Sequence, residues 1–299
     1  IIMDENILKE LINSFLDDKK SERRLKLITR TFVFLLLLVL VFAPLLVSNQ
    51  NFSSDKHTAV ISIEGTIMPS DVNTRDTLEL IEQAIENEMC ENIILMINSP
   101  GGSATQSKII FDEIVKHKNS SDKKIYSVID DVGASGGYYI AASGDKIFAN
   151  SSSIVGSIGV RLDSFNISSL ADKLGIKSQT ISAGTDKTIL DPFNELSPEH
   201  IEHLKALINE IHDDFINDIK SSRGSNLAEN KVFTGLFWTG KQAKELGLID
   251  EVASIYDVNR DYLNNSNLVT YNKKTSILDQ LMKSIINPSV STSYFTLMH

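Results

Sequence analysis

Apolar segments that end in glycine-rich turns, each next to a helical pattern, recur along this chain about every thirty residues. Alternation in residues 58–67 predicts a strand that ends at Gly65, and the run NIILMINSPGG predicts a buried strand entering a Pro-Gly-Gly turn. The segment KKIYSVID predicts a third strand, which leads into the turn GASGG. Strands that alternate with helices in this way indicate an α/β fold with a parallel sheet, with both glycine turns at one edge.

An uncharged apolar run of 17 residues, 31–47, lies before these repeats and is about the lower limit for a bilayer span. The segment just before it contains one acid, Glu22, and six basic residues: Lys19, Lys20, Arg23, Arg24, Lys26 and Arg30. No basic residue follows until Lys56, so the positive-inside rule predicts a cytoplasmic N-terminus and an exported remainder. A cleaved signal peptide is the alternative, but FAPLLVSNQ offers no convincing cleavage site. We therefore expect a single-pass protein of a bacterial-type inner membrane.

The patterns divide the chain into five predicted parts. These are a cytoplasmic segment (1–30), a transmembrane signal-anchor (31–47), a linker (48–57), a globular domain (58–255) and a C-terminal tail (256–299). Within the domain, a long amphipathic helix is predicted to begin after Ser197, with Pro198 as its first residue, and to stop at Gly224.

Composition excludes several classes of function. The formal net charge is −10, and the acidic excess lies beyond residue 30, so the exported part should repel phosphate backbones and nucleic acid is not an expected partner. Cys90 is the only cysteine, which excludes an intrachain disulfide and a multi-cysteine zinc site. We expect Cys90 to pack in the core, and we expect neither a metal nor a cofactor.

Ser135 is the first candidate for chemistry, because Gly133, Ser135 and Gly137 satisfy the pattern G-x-S-x-G. The predicted strand before it and the predicted helix after it are the context of a nucleophile elbow. Small residues also occur wherever two backbones approach closely. The pattern alone therefore leaves two interpretations, a nucleophile and a packing residue.

A serine nucleophile needs a base, because a hydroxyl attacks poorly at neutral pH. An α/β-hydrolase would take one of the C-terminal histidines: His200, His203, His212 or His299. The first three fall on or beside the polar side of the long helix and the last ends the chain, so we expect solvated surface positions. A buried lysine is the other possibility, because burial lowers the pKa of an ammonium group.

Lys187 is the lysine we favour, because it falls in a glycine-marked loop between a predicted strand, SQTISA, and an apolar turn with proline. Lys173 and Lys177 are expected to face solvent. Backbone N–H groups near the serine could form an oxyanion hole, one from Gly102 and one from Gly136. Gly102 has an alternative interpretation, a glycine that only permits a tight bend.

Five motifs occur in the order typical of one family: INSPGGS (97–103), ASGGYYIAASGDKIFA (134–149), VGSIGV (155–160), AGTDK (183–187) and WTGKQAKELGLID (238–250). Over residues 58–255 the chain resembles the signal peptide peptidase family, membrane-anchored serine proteases with a Ser-Lys dyad on a Clp protease/crotonase-like fold. Leu236 departs from the pattern, since family members usually carry a basic residue there.

The resemblance implies a role for each matching position. Ser135 would be the nucleophile, Lys187 the general base, and Ser157 the hydroxyl that orients the lysine ammonium. Gly102 and Gly136 would donate to the oxyanion. Residues 58–255 would then form a serine peptidase domain that hydrolyses peptide bonds through an acyl-enzyme.

The resemblance also implies partners. Serine and lysine would meet across a boundary between neighbouring domains, so a chain with one domain would assemble into a homo-oligomer above the membrane. The expected substrates are extended peptides with small or apolar side chains, such as cleaved signal peptides left in the membrane lipid. Three alternatives stay open: an α/β-hydrolase-type esterase that uses a C-terminal histidine, a crotonase-like enzyme acting on an acyl thioester, and a membrane scaffold without activity.

Overall fold

The computed structural model describes residues 19, 23–38, 55–228 and 230–272. The chain divides into two units, Ser53–Lys273 and the combination of Ile1–Phe52 with Lys274–His299. In the second of these units, residues 23–38 are helical and their leucine, valine and phenylalanine side chains are exposed. Within the described residues, no helix is both long and apolar enough to cross a membrane. Residues 39–47 of the predicted anchor lie outside the described residues.

Strands and helices alternate through the larger unit in this order: β1 (His57–Glu64), α1 (Thr74–Glu86), β2 (Cys90–Ser99), α2 (Ala104–Ser120), β3 (Lys124–Ala134), α3 (Gly136–Ala141), β4 (Lys146–Ala149), β5 (Ile154–Gly156), α4 (Ser168–Lys173), α5 (Pro198–Arg223), β6 (Phe237–Thr239), α6 (Gly240–Glu245), β7 (Glu251–Val252), α7 (Ile255–Tyr262) and β8 (Leu268–Tyr271). Two short 3-10 segments, Gly224–Asn226 and Asn230–Phe233, join α5 to β6. The predicted α/β fold is confirmed.

All the strands of this unit join one sheet in the order β6-β5-β3-β2-β1-β8, while β4 pairs with β3 and with β7. Every pairing is parallel except that of β5 with β6. β3 is long enough to pair with β4 through residues 126–129 and with β5 through residues 132–134. The carboxyl ends of β2, β3 and β5 consequently lie side by side, and loops at this edge of a parallel sheet carry functional groups in many folds.

The core follows from the alternation of side chains along the strands. Val60, Ile94 and Val128 lie on one face with Phe148, where they pack against Val258 of α7. Ile93, Leu95 and Ile97 on the other face of β2 are also fully buried, as expected of a strand covered on both faces. Cys90 is buried, in agreement with its predicted place in the core.

The capping residues predicted from the sequence are confirmed at the long helix. The Ser197 side chain accepts the N–H of His200, Pro198 is the first helical residue, and Gly224 ends α5 with a positive φ of 53°. The sheet extends further than the sequence patterns indicate, because β8 lies in the stretch predicted as a tail and pairs with β1. The remainder of that stretch, from residue 273, lies outside the described residues.

One predicted strand is wrong. SQTISA, residues 178–183, is exposed coil that ends in a bend, and the Ile181 side chain is fully exposed at 101%. Its alternating pattern resembles a strand, but a strand is stable only where a neighbour accepts and donates its backbone hydrogen bonds. No strand among the described residues pairs with it.

Candidate active site

The two glycine turns meet, as the sequence predicts. A Cβ atom added at Gly101 would lie 2.7 Å from the backbone nitrogen of Gly136 and 2.7 Å from the Cβ of Ser135. A Cβ added at Gly137 would lie 2.5 Å from the carbonyl oxygen of Ser99. These distances are shorter than any real contact of a Cβ atom, so glycine at both positions lets the turn after β2 touch the turn after β3.

Ser135 occupies the junction of β3 and α3 in a strained conformation, with φ 52° and ψ −122°. A positive φ is unfavourable for a residue with a side chain, and such strain persists where the surroundings hold it in place. Here the Ser135 N–H donates to the carbonyl of Gly156 at 2.8 Å, and its carbonyl accepts the N–H of Tyr139 at 2.9 Å. The half-buried serine thus sits on a tight strand-to-helix turn, the context that a nucleophile elbow requires.

Ser157 directly follows the end of β5, the strand that pairs with the end of β3. Ala134 and Gly156 are paired residues of β3 and β5, and the two serines follow them directly. Ser157 also has a positive φ, 55°, and its N–H donates to the carbonyl of Leu236 at 2.7 Å. Leu236, the departure from the family pattern, therefore contacts Ser157 through its backbone, a bond that does not depend on the side chain.

Gly136 directly follows Ser135, and Gly102 directly follows Gly101, whose added Cβ would lie 2.7 Å from the Ser135 Cβ. Gly136 is the first residue of α3, and the first N–H groups of a helix have no acceptor within it. Gly102 has a φ of 156° and forms an isolated parallel bridge with Ile67. A Cβ at Gly102 would lie 2.4 Å from the Ile67 carbonyl oxygen, so close backbone approach by itself explains the glycine. The two interpretations of Gly102 are compatible.

Lys187 is exposed, and it lines an open cleft of about 590 Å³ with Thr180, Asp191 and Phe193, to which neither glycine turn contributes a residue. Within the described part of the chain, no hydrogen bond joins Lys187 to Ser135 or Ser157. The protomer therefore does not by itself provide the burial that a lysine base needs.

We call residues 161–196, the segment that carries Lys187, the arm. Most of its side chains are exposed, and five large apolar ones are more than half exposed: Phe165 at 79%, Leu170 at 56%, Leu174 at 65%, Ile176 at 52% and Ile181 at 101%. Lys173 and Lys177 face solvent, as predicted. An apolar surface of this kind is typical of an interaction site.

Among the described residues, no histidine forms a hydrogen bond with Ser135. His200 binds Asp186 at 3.0 Å, and this hydrogen bond is the main reason that the pKa of Asp186 is lowered. His203 is exposed as expected, and His299 lies outside the described residues. His212 is half-buried, and its Nε2 lies 3.2 Å from the carbonyl of Ile158, the residue after Ser157. Helical periodicity could not predict this contact, because it depends on how α5 packs.

Helix α3, which follows Ser135, packs against α5 and is hydrogen-bonded to it. Tyr139 stacks on Phe215 with ring centroids 4.2 Å apart and donates its hydroxyl to Asp218, which also accepts the Lys108 ammonium at 2.8 Å. Burial and the Asp218 carboxylate both raise the pKa of Tyr139, so the hydroxyl stays protonated and remains a donor. These contacts attach α3, the helix that begins directly after Ser135, to α5.

Comparison of the sequence with known proteins identifies its family. The sequence model of Peptidase family S49 matches residues 117–268, and that of Clp protease matches residues 53–156. A putative protease of Synechocystis is 34% identical over 207 residues, which cover 69% of this chain and 73% of that protein. A putative signal peptide peptidase of Enterococcus faecium is 32% identical over 212 residues, 67% of this chain and 61% of that protein.

A longer relative is the Na(+)/H(+) antiporter NhaA of Brucella melitensis, 43% identical over 198 residues, which cover 64% of this chain. The chain spans about a quarter of that protein's length, 27%. The parallel-dominated sheet is consistent with a Clp protease-like fold. Because the S49 model covers just over half of the sequence, the chain belongs to peptidase family S49, the signal peptide peptidase family.

Proposed function

We propose that this protein is a membrane-anchored serine endopeptidase with Ser135 as nucleophile and Lys187 as general base. The observation that carries the proposal is the strained Ser135 turn, packed against a second glycine turn at the carboxyl edge of the sheet. Backbone strain of this kind clusters at active sites, and family membership supplies the reaction class.

In the proposed reaction, the Ser135 oxygen attacks the carbonyl carbon of the peptide bond while Lys187 accepts the hydroxyl proton. The N–H groups of Gly102 and Gly136 stabilise the negative charge on the carbonyl oxygen. When the tetrahedral intermediate collapses, the C–N bond breaks and the lysine ammonium gives its proton to the leaving amine. Water, deprotonated by Lys187, then hydrolyses the acyl-enzyme and restores Ser135. The Ser157 hydroxyl orients the lysine ammonium.

The lysine comes from a neighbouring copy of the chain in this proposal. Support comes from the arm, in which Lys187 is exposed. Large apolar side chains of the same segment are also exposed within the described part of the protomer. Packing of the arm against a second copy would bury these side chains and bring Lys187 out of water, which a lysine base requires. The active form would be a homo-oligomer.

The anchor and the substrate belong to the same proposal. Support for the anchor comes from the uncharged run 31–47 and its basic flank, from which the positive-inside rule predicts an exported peptidase domain. A site enclosed by an oligomer above the bilayer would accept extended, apolar peptides. Cleaved signal peptides fit this description, and one relative is named as a putative signal peptide peptidase.

The test is turnover of a fluorogenic apolar signal-peptide fragment by the full chain in detergent. We expect Ser135→Ala and Lys187→Ala to be inactive, and His203→Ala, an exposed residue, to match the wild type. Activity lost in a histidine variant and kept in Lys187→Ala would favour a hydrolase with a histidine base instead.

Co-expression of two inactive variants tests whether the serine and the lysine of one site come from different chains. Co-expression of Ser135→Ala and Lys187→Ala chains should restore about a quarter of wild-type turnover, because random assembly gives that fraction of sites an intact serine and an intact lysine. Each variant expressed alone is the control. An inactive mixture of oligomers of normal size would place both groups in one protomer.

A further inference from the structure

Ile67 contacts both glycine turns through its backbone and its side chain. Its N–H donates to the carbonyl of Gly101 at 2.9 Å, and its carbonyl accepts the N–H of Ser103 at 2.9 Å. Gly102 lies between these two bonds and forms a parallel bridge with Ile67. The backbone of Ile67 therefore fixes the peptide units on both sides of Gly102.

The side chain of Ile67 reaches the other turn. It is fully buried, and its Cδ1 lies 3.1 Å from the position that a Cβ atom of Gly136 would occupy. Glycine at position 136 thus allows the Ile67 methyl group to pack directly beneath the first residue of α3. The other neighbour of that position is the Ser107 hydroxyl of α2, at 2.3 Å.

We propose that Ile67 is a positioning residue that sets the spacing between the Gly102 and Gly136 N–H groups. This inference rests on the proposed function, in which the two groups share the oxyanion. Oxyanion donors act when they lie 2.7–3.1 Å from the oxygen of the transition state. A shift of either turn by a few tenths of an ångström weakens that contact, while binding of the substrate chain elsewhere is unaffected.

Sequence patterns do not reveal this role. Ile67 follows the predicted end of β1 at Gly65, and an apolar residue there is expected only to pack in the core. Ile67 contacts both turns because the chain beyond Gly65 continues alongside Gly102. The two residues form one more parallel pairing beyond the end of β1.

The experiment compares two substitutions at Ile67 in the full chain. Ile67→Val removes the Cδ1 methyl that reaches Gly136 and keeps the backbone bonds, and Ile67→Ala removes more of the same contact. We expect kcat to fall about tenfold in Ile67→Ala and severalfold in Ile67→Val, less than the 10²- to 10³-fold loss that follows removal of a donor. KM should change less than twofold, and affinity for a peptide aldehyde, which forms a tetrahedral adduct, should fall with kcat.

Ile93→Val and Ile93→Ala are the matched controls, because Ile93 is also fully buried but lies at the opposite end of β2 from the glycine turn. They should lower the Tm by a similar amount and leave kcat and aldehyde affinity unchanged. If the Ile67 variants lower kcat no more than the Ile93 variants do, the inference is wrong and the proposed function stands. Turnover retained by Ser135→Ala would overturn the proposed function and, with it, this inference.

Discussion

Ser135 and Ser157 directly follow Ala134 and Gly156, which are register partners on adjacent parallel strands, and both serines have a positive φ. The described residues contain four non-glycine residues with a positive φ, and the other two, Asn264 and Asn265, belong to a type that tolerates this conformation. The sheet therefore holds two strained serines side by side at the edge where the glycine turns meet.

Ser157→Ala tests the role of the second serine. The substitution keeps the strained backbone and its bond to Leu236, so the Tm should stay within about 1 °C of the wild type. If the hydroxyl orients the lysine, kcat should fall about 10- to 100-fold with little change in KM, because only the transition state loses a contact. Steady-state kinetics would measure this, with the exposed Ser151→Ala as control. An unchanged kcat would show that the Ser157 hydroxyl does not orient the lysine.

Gly102→Ala tests the close approach of the turns. The new methyl group would lie 2.4 Å from the Ile67 carbonyl oxygen, so the bridge between these residues must open. We expect a lower Tm and at least about a 100-fold loss of kcat, because an oxyanion donor moves. Gly224→Ala is the control: it also has a positive φ, with no atom within 4 Å, and should cost only about 1–3 kcal/mol of stability from backbone strain. Equal effects of the two substitutions would contradict the packing argument.

Tyr139→Phe tests the attachment of α3 to α5. The variant keeps the stack on Phe215 but loses the hydrogen bond to the Asp218 carboxylate, so the free energy of unfolding should fall by about 1–3 kcal/mol. Chemical denaturation would measure it, with Tyr256→Phe as control, since Tyr256 is 78% exposed. Similar stability of the two variants would mean that the Tyr139 hydroxyl contributes nothing measurable.

Asp257 predicts a dependence of stability on pH. The side chain and N–H of Ser254, followed by Arg260, lower the pKa of Asp257 to about 2 from an ordinary value of 3.8. Because the pKa of the folded form is the lower one, the carboxylate stabilises α7 above about pH 3.8, and this stabilisation is lost as the pH falls through 2. Asp257→Asn should lower the Tm at neutral pH, with a difference from the wild type that shrinks towards pH 2. The exposed Asp122→Asn is the control, and a pH-independent difference would contradict the assignment.

Much of this fold could be predicted because its signals are local. The alternation in residues 58–64 and the capping residue Ser197 depend on neighbours in the sequence, and both predictions are confirmed. The strand predicted at 178–183 is wrong because pattern alone does not supply a hydrogen-bonding neighbour. β8 was missed because a strand of four residues in a polar stretch has too little periodicity to detect.

The site could be predicted in part, for the same reason. The meeting of the two glycine turns follows from the rule that parallel strands place their carboxyl ends at one edge. The strain at Ser135 and the contacts of Ile67 depend on how strands are registered, which no local pattern encodes. The exposure of Lys187 follows from the position of the arm on the surface of the protomer, which no local sequence pattern encodes.

The most direct measurement is the rate at which a fluorophosphonate, which reacts with activated serines, labels the full chain, with the labelled residue located by mass spectrometry. The account predicts a single modified residue, Ser135, and labelling at least about 100-fold slower in Lys187→Ala, the contribution expected of a general base. Label on another residue, or wild-type labelling of Ser135 in Lys187→Ala, would contradict it.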